Sequence, residues 1–238
     1  MKKFIKGIKK YLIPIILLIL SLTILITFCI SYYIETHSVN KDFSSLDLSN
    51  VDNLMIVAHP DDELLWGGAH LIKDNYLVVC ITCGTNQVRV NEFVRIMNET
   101  NDKYIMLGYP DKTNGERDSW DNHRSNISKD LNEIINLKEW NIIVTHNPDG
   151  EYGHQHHKMT SSITTENVIT DNLYYFGKYH SKKAITNYYD EMAPINDNYI
   201  SPKRKLIGVY KSQKFIQTMF DHMYPYEDWI KATEWSND

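Results

Sequence analysis

Apolar runs alternate with amphipathic stretches along the chain from Val51 onward. Runs of consecutive apolar residues predict buried strands, and apolar residues that recur every three or four positions predict helices. The predicted order is strand 54–58, helix 63–73, strand 76–82, helix 91–99, strand 104–107, helix 127–137 and strand 141–145. This alternation predicts a Rossmann-like α/β fold, in which a mostly parallel sheet carries helices on both faces.

The first 34 residues follow a different pattern. Five lysines stand within residues 1–10, and residues 11–34 contain no charged side chain. About 20 apolar residues in a helix suffice to cross a bilayer, so residues 11–34 are predicted to be a transmembrane anchor that follows a basic cytoplasmic tail. A cleaved signal peptide is the alternative, although its apolar region usually has about 7–15 residues. The lysines predict a cytoplasmic N-terminus and an extracytoplasmic domain, with a cytosol-facing domain left open.

The polar residues 35–50 are predicted to be a linker, and residues 51–238 a single folded domain. The chain has 238 residues and a formal net charge of −5. Its first 37 residues carry five lysines and one acid, so the remainder is more acidic than the whole. Such a domain is a poor partner for nucleic acid. No G-x-G-x-x-G motif opens the first helix, and a nucleotide cofactor is therefore not expected.

Two clusters of reactive side chains come directly after predicted strands, where open parallel sheets bind their ligands. The first cluster is A-H-P-D-D-E at 58–63, and the second, 147–157, contains three histidines. In each cluster two potential ligands stand three residues apart, namely His59 and Asp62, and His154 and His157. An acidic first helical turn is also ordinary capping, and the second cluster alone could be a polar surface loop. Together, however, two histidines and a carboxylate are the usual protein ligands of a catalytic zinc ion.

The two clusters resemble the PIG-L/LmbE-like family of zinc-dependent N-acetylglucosaminyl deacetylases. The main matches are A-H-P-D-D-E at 58–63 and G-x-Y-G-H-x-x-H at 150–157; weaker ones follow the family order at 89–92, 107–111 and 210–213. The resemblance spans about residues 53–213. It implies three metal ligands and a general base, which are His59, Asp62 and His157 for the metal and Asp61 for the base.

The same resemblance implies that His154 and Tyr152 stabilise the oxyanion, and that Arg89 and Asp111 hold sugar hydroxyls or a neighbouring group. One departure concerns the residues between the two histidines. The family commonly has Pro and Asp there, whereas this sequence has Gln155 and His156. A carboxylate that orients a histidine is therefore missing, and Asp149 or Glu151 is the candidate replacement. His146 is an alternative ligand, and His156 is expected either to support a ligand or to be exposed.

The expected activity is hydrolysis of the acetamide of an N-acetylglucosamine-containing glycan or glycolipid. The expected cofactor is Zn²⁺ or another divalent transition metal. Zinc lowers the pKa of a bound water to about 7, and a neighbouring carboxylate takes the proton. The alternatives are a deacylase of another N-acyl sugar or sugar–thiol conjugate, and a noncatalytic metal-containing glycan-binding protein on the same fold. Asp61 distinguishes an enzyme from the noncatalytic binding protein, because a binding protein needs no base beside its metal.

Overall fold

A computed structural model of the chain describes residues 14–27 and 43–236. The chain divides into two compact units, Met1–Ser45 and Leu46–Asp238. In the first unit, residues 14–27 form a helix, and Phe43–Ser45 forms a 3-10 turn. All of the predicted chemistry lies in the second unit.

Residues 14–27, which lie inside the predicted membrane span, form a helix. These 14 described residues extend about 21 Å at about 1.5 Å each, whereas the hydrocarbon layer is about 30 Å thick. Within residues 14–27 and 43–236, no helix has the length and apolar character needed to cross a membrane. The prediction of a single-pass anchor with an extracytoplasmic domain is therefore wrong. The rest of the predicted tail, anchor and linker, at residues 1–13 and 28–42, lies outside the described residues.

The second unit is built on a six-stranded sheet. In chain order the strands are β1 (Asn53–Val57), β2 (Tyr76–Thr82), β3 (Lys103–Tyr109), β4 (Lys112–Thr113), β5 (Glu116–Arg117), β6 (Ile142–Thr145), β7 (Leu173–Phe176) and β8 (Trp229–Lys231). The sheet order is β3-β2-β1-β6-β7-β8, and β4 and β5 form a separate hairpin. Only β8 runs antiparallel to its neighbour in this sheet. The prediction of an α/β fold with a mostly parallel sheet is confirmed.

Helices connect the strands. They are α1 (Asp62–Lys73), α2 (Gln87–Thr100), α3 (Arg124–Ile135), the short α4 (Gly150–Gly153), α5 (Gln155–Asn167), α6 (Asp197–Ile207) and the short α7 (Ile216–Met219). Further 3-10 turns lie at Ile185–Asn187, Lys211–Gln213 and Ala232–Glu234. Helix α1 packs against α6, and α3 packs against α5. Helix α2 begins four residues before its predicted start, because the Asn86 side chain accepts hydrogen bonds from the backbone N–H groups of Val88 and Arg89 and so caps the helix.

The central strands are buried along nearly their whole length. All seven residues of β2 and four of the five in β1 are buried. Strands covered on both faces read as continuous apolar runs, which explains why β1 and β2 were recognisable in the sequence.

A buried ion pair, Lys203–Glu227, contacts helix α1. Lys203, which is 0% exposed, places its Nζ 2.6 Å from Glu227 Oε1. Glu227 also accepts a hydrogen bond from the Ala69 backbone N–H at 2.7 Å, and its other oxygen lies 2.7 Å from His70 Nδ1. The pair therefore joins α6 and the segment before β8 to the helix that begins at the first reactive cluster.

The sheet order brings the two reactive clusters together. From β1 the chain continues to β2 and β3 on one side, and from β6 it continues to β7 and β8 on the other. Ligands of open parallel sheets bind at such a switch point, in the crevice outside the carboxyl ends of the strands. The clusters that follow β1 and β6 meet in this crevice.

Candidate metal centre and active site

The turn after β1 has a strained backbone that its neighbours hold in place. Asp61 has a φ of +117°, which is unfavourable for a residue with a side chain. The Asp61 N–H donates to Glu63 Oε2 at 2.9 Å, and the Tyr210 hydroxyl donates to Glu63 Oε1 at 2.6 Å. The His59 N–H donates to Asp62 Oδ2 at 2.9 Å. These bonds fix the turn so that His59 and Asp62 face the same point.

Asp62 lies between the donor atoms of His59 and His157. His59 Nδ1 lies 3.2 Å from Asp62 Oδ2, and His157 Nε2 lies 3.3 Å from Asp62 Oδ1. Zinc ligands stand about 2.0–2.2 Å from the ion, so tetrahedral neighbours are about 3.3 Å apart. His157 Nε2 is buried and has no hydrogen-bond partner among the described residues, which makes it available to a cation. The three residues therefore offer the donor types that a divalent metal ion needs, with the two oxygens of Asp62 facing one histidine each.

Other donor atoms in the same cluster also lie close together. Three groups have ligand atoms within 4.8 Å of one another, namely His59 with His154 and His157, His59 with Asp111 and His156, and Asp62 with His146 and His157. The density of nitrogen and carboxylate donors is itself unusual for a buried location, because unpaired polar groups are costly there.

Glu151 sets the orientation of His157. Its Oε2 lies 2.5 Å from His157 Nδ1. Because a carboxylate only accepts hydrogen bonds, His157 carries its proton on Nδ1 and leaves the Nε2 lone pair facing Asp62. Glu151 achieves this from a left-handed backbone, with φ at +54°. The carboxylate missing from the family pattern is thus supplied by Glu151, and it acts on His157 rather than on His154.

His146 has both ring nitrogens engaged by the protein. Its Nδ1 lies 3.0 Å from Glu151 Oε2, and its Nε2 accepts a hydrogen bond from the Ala58 N–H at 3.0 Å. To bind a metal, His146 would have to give up the bond to Ala58. The geometry therefore favours a supporting position for His146 over the alternative of a ligand.

Asp61 is the neighbour of Asp62 in the chain and belongs to none of the three donor groups. It is buried, and burial raises its pKa to about 7, an effect that the charge of Asp62 increases and that of Arg89 opposes. Arg89 Nη2 lies 3.2 Å from Asp61 Oδ2, and Arg89 also donates to the Pro60 carbonyl. A carboxylate whose pKa lies near neutrality is suited to accept a proton from water.

The predicted site residues surround one cavity of about 540 Å³. Seven of the eight predicted site residues line the cavity directly: His59, Asp61, Asp62, Arg89, Asp111, Tyr152 and His154. His157 is buried beneath them, against Asp62. Tyr152 is 44% exposed, and its ring centroid lies 5.8 Å from that of His154. Burial and, to a smaller extent, the neighbouring His157 and His59 lower the pKa of His154 to about 2, which favours the neutral ring.

The PIG-L family model, described as GlcNAc-PI de-N-acetylase, matches residues 54–168. Residues 54–168 resemble the PIG-L family. The family resemblance seen in the motifs is thereby confirmed over this segment. The PIG-L segment includes both reactive clusters, Arg89 and Asp111, whereas Tyr210 lies beyond it.

Several known proteins resemble this chain. The uncharacterized protein L374 of Acanthamoeba polyphaga mimivirus is 32% identical over 154 residues, and the match spans 58% of this chain and 65% of that protein. The A40926 pseudoaglycone deacetylase Dbv21 has a TM-score of 0.53 at 15% identity, over 71% of this chain and 85% of its own. GalB, the 4-carboxy-2-hydroxymuconate hydratase of Pseudomonas putida KT2440, has a TM-score of 0.51 at 12% identity, over 72% and 84%. At these identities the two structures show a shared fold, and that fold hosts more than one reaction.

The sequence did not reveal several residues that support the PIG-L site. Glu63 and Tyr210 hold the turn after β1, and neither was assigned a role. Two sequence features could have indicated these roles: Glu63 ends the motif A-H-P-D-D-E, and Tyr210 begins the family match at 210–213. No sequence signal indicated which histidine Glu151 would contact, because this depends on the backbone conformation at Glu151.

Proposed function

We propose that this chain is a metal-dependent deacetylase that releases acetate from an N-acetylglucosamine-containing glycan or glycolipid. In this proposal His59, Asp62 and His157 hold Zn²⁺ or another divalent transition metal. The observation that carries the proposal is the donor triangle around buried Asp62, with its unpartnered His157 Nε2 and a separate carboxylate, Asp61, beside it. Residues 51–238 are proposed to be the catalytic domain.

The residues divide the work of amide hydrolysis. When bound, the metal supplies Lewis acidity that activates water and polarises the acyl oxygen. Asp61 accepts the proton of the attacking water, and Arg89 holds its carboxylate at 3.2 Å. Once protonated, Asp61 is a proton source for the departing amine. This cycle needs one carboxylate whose pKa lies near the working pH.

Two side chains are proposed to donate hydrogen bonds to the acyl oxygen. Neutral His154 keeps one ring N–H, and burial raises the pKa of Tyr152, so its hydroxyl stays protonated. Donors that are already aimed at the developing negative charge stabilise the transition state. Asp111 and Arg89 are proposed to contact sugar hydroxyls, and both line the cavity.

One wall of the cavity favours a second candidate, a deacylase of another N-acyl sugar or conjugate. This apolar wall consists of Leu65, Phe215, Ile216, Met219 and Phe220. Phe215 is 57% exposed and Met219 is 52% exposed. A simple acetamido sugar offers only one methyl group to such a surface. An acyl chain or an apolar aglycone would bury it, at about 25 cal/mol for each Å² removed from water.

The decisive experiment measures metal content and product release together on the purified full chain. N-acetylglucosamine, a glycolipid that carries it and N-octanoylglucosamine serve as substrates, with Asp61→Asn as the matched control. About one zinc per chain and acetate release that Asp61→Asn abolishes would support the proposal. Release of octanoate in preference to acetate would favour the second candidate. Bound zinc without any release would favour a glycan-binding protein, and a metal-free, inactive chain would refute the proposal.

A further inference from the structure

His156 occupies the position at which the family commonly has an aspartate, and its surroundings are well defined. The residue is 0% exposed. Its ring stacks on Trp120, with centroids 4.1 Å apart and planes 8° apart. His156 Nε2 lies 2.8 Å from the Asp118 carbonyl oxygen, and His156 Nδ1 lies 3.0 Å from His59 Nε2. The ring thus bridges a backbone carbonyl and a proposed metal ligand.

These contacts determine where the protons lie. A carbonyl oxygen only accepts, so His156 Nε2 carries the proton that it donates to Asp118. The neutral ring then has a lone pair on Nδ1, which accepts a hydrogen bond from His59 Nε2–H. His59 is left with a lone pair on Nδ1, and this nitrogen lies 3.2 Å from Asp62 Oδ2. The chain of hydrogen bonds therefore directs the free nitrogen of His59 toward the metal position.

We infer that His156 is a positioning residue for His59 and takes the part that a carboxylate usually has behind a metal-bound histidine. The inference rests on the proposed function insofar as His59 is a metal ligand. Such partners fix the tautomer and the ring orientation of the ligand, and their loss typically costs 10- to 100-fold in metal affinity.

Asp111 is the competing partner for His59 Nε2. Its Oδ1 lies 3.3 Å away, farther than His156 Nδ1, and it has no hydrogen-bond partner within the described part of the chain. Arg117 Nη1 stands 3.6 Å from the same oxygen and attracts it. Asp111 is also 31% exposed in its side chain, whereas His156 is enclosed. The geometry therefore assigns the orienting role to His156.

Trp120 keeps the His156 ring in place. The indole is 0% exposed, and its Nε1–H donates to the Pro110 carbonyl at 2.7 Å. Because a stacked partner limits rotation of the imidazole about its Cβ–Cγ bond, His156 cannot turn its Nδ1 away from His59 without losing the ring contact.

Two isosteric variants separate the two ends of the His156 ring. In His156→Asn, the side-chain oxygen can take the place of Nδ1 and still accept from His59. In His156→Gln, the amide can take the place of Nε2 and still donate to the Asp118 carbonyl, but nothing accepts from His59. Both variants lose the stack on Trp120 alike. A purely structural role, which depends on the stack and on the bond to the Asp118 carbonyl, would therefore affect His156→Asn at least as much as His156→Gln.

Zinc affinity is measured on the full chain by competition with a chromogenic chelator, and the metal geometry by the d–d absorption of the Co²⁺ form. We expect His156→Gln to weaken zinc binding about 10- to 100-fold and to shift the Co²⁺ bands, and His156→Asn to stay within about threefold of the wild type. We expect Asp111→Asn to raise KM with little change in zinc affinity. Equal losses in the Asn and Gln variants, or a larger loss in Asp111→Asn, would overturn the inference.

A measurement on the wild-type protein tests the inference even if the variants do not fold. Histidine ¹⁵N NMR of the zinc-loaded protein should show His156 and His59 as Nε2–H tautomers, and a His156 Nδ1–H tautomer would overturn the inference. Two zinc ions per chain, one of them lost in His156→Gln, would make His156 a ligand instead. If zinc binds as expected but no acylated sugar is hydrolysed, the proposed function fails while this inference stands. If the wild type binds no zinc, both fail.

Discussion

Replacing Glu151 by Gln tests the orientation of His157 most directly. The Glu151 carboxylate accepts three hydrogen bonds, from His157 Nδ1 at 2.5 Å, from His146 Nδ1 at 3.0 Å and from the Asn147 N–H at 3.0 Å. A glutamine amide has one accepting oxygen and one donating NH₂ group. Whichever way it is turned, at least one buried N–H faces another donor.

The expected loss of zinc affinity in Glu151→Gln follows from this mismatch of donors. A buried donor left without an acceptor costs about 1–3 kcal/mol. If the amide keeps its oxygen on the two histidines, the Asn147 N–H faces a donor and His157 loses the negative charge behind its ring. If the amide turns, Asn147 keeps an acceptor, but both histidines face a donor and His157 loses its orientation. We therefore expect zinc affinity to fall about 10- to 100-fold, equivalent to about 1.4–2.7 kcal/mol, with a corresponding loss of deacetylase activity at limiting zinc.

The assay titrates zinc against a competing chelator for the wild type, Glu151→Gln and the matched control Asp149→Asn. Asp149 is the other acid that the sequence offered as an orienting carboxylate, and it is exposed. We expect the control to bind zinc like the wild type. A Glu151→Gln protein that folds and binds zinc within about twofold of the wild type would refute the reasoning, because the expected minimum is about tenfold.

Three further predictions concern the site and the stability of the fold. Asp61→Asn should keep the metal and lose at least about 100-fold in activity, whereas His157→Ala should lose both; retained metal in His157→Ala would contradict the ligand assignment. Burial raises the pKa of Asp102 from 3.8 to about 7, so the folded state binds the proton more tightly and the free energy of unfolding falls as pH rises from about 4 to 7. Asp102→Asn should remove up to about 4 kcal/mol of this pH dependence, measured by urea unfolding of the metal-free protein. An unchanged pH profile in this variant would contradict the prediction. Lys203→Met should cost about 3–5 kcal/mol of unfolding free energy, because it removes the lysine cation from buried Glu227 and leaves only the contacts with Ala69 and His70. The double variant with Glu227→Gln should recover part of this loss.

The sequence predicted the sheet best where burial is continuous. Strand β2 was predicted with the bounds that the structure has, and β1 and β6 within one residue, because unbroken apolar runs are typical of central parallel strands. Strands β7 and β8 were not predicted, because they have only four and three residues. Strand β7 pairs with β6 and with β8, and these pairings stabilise both short strands. Local patterns carry little information about pairing across more than 50 positions.

The sequence also predicted residues that line one cavity, because the ends of parallel strands are where ligands bind. It could not assign their partners. Whether Glu151 faces His157 or His154 depends on a left-handed φ at Glu151, and the contact of His156 with His59 depends on stacking against Trp120. The wrong prediction at the N-terminus had another origin, because it rested on apolar composition alone, and no helix within residues 14–27 and 43–236 is long and apolar enough to cross a membrane.

The apolar wall has a consequence for how such an enzyme can diversify. The proposed ligands and the base come from residues 59–157, inside the PIG-L segment, whereas four of the five wall residues come from 215–220, outside it. Under the proposed function, the hydrolytic residues and most of the apolar wall that would contact an acyl chain or aglycone are thus encoded in separate stretches of the chain. Grafting the 215–220 stretch of a relative with a different substrate onto this scaffold would exchange the acyl or aglycone preference while leaving the hydrolytic machinery intact.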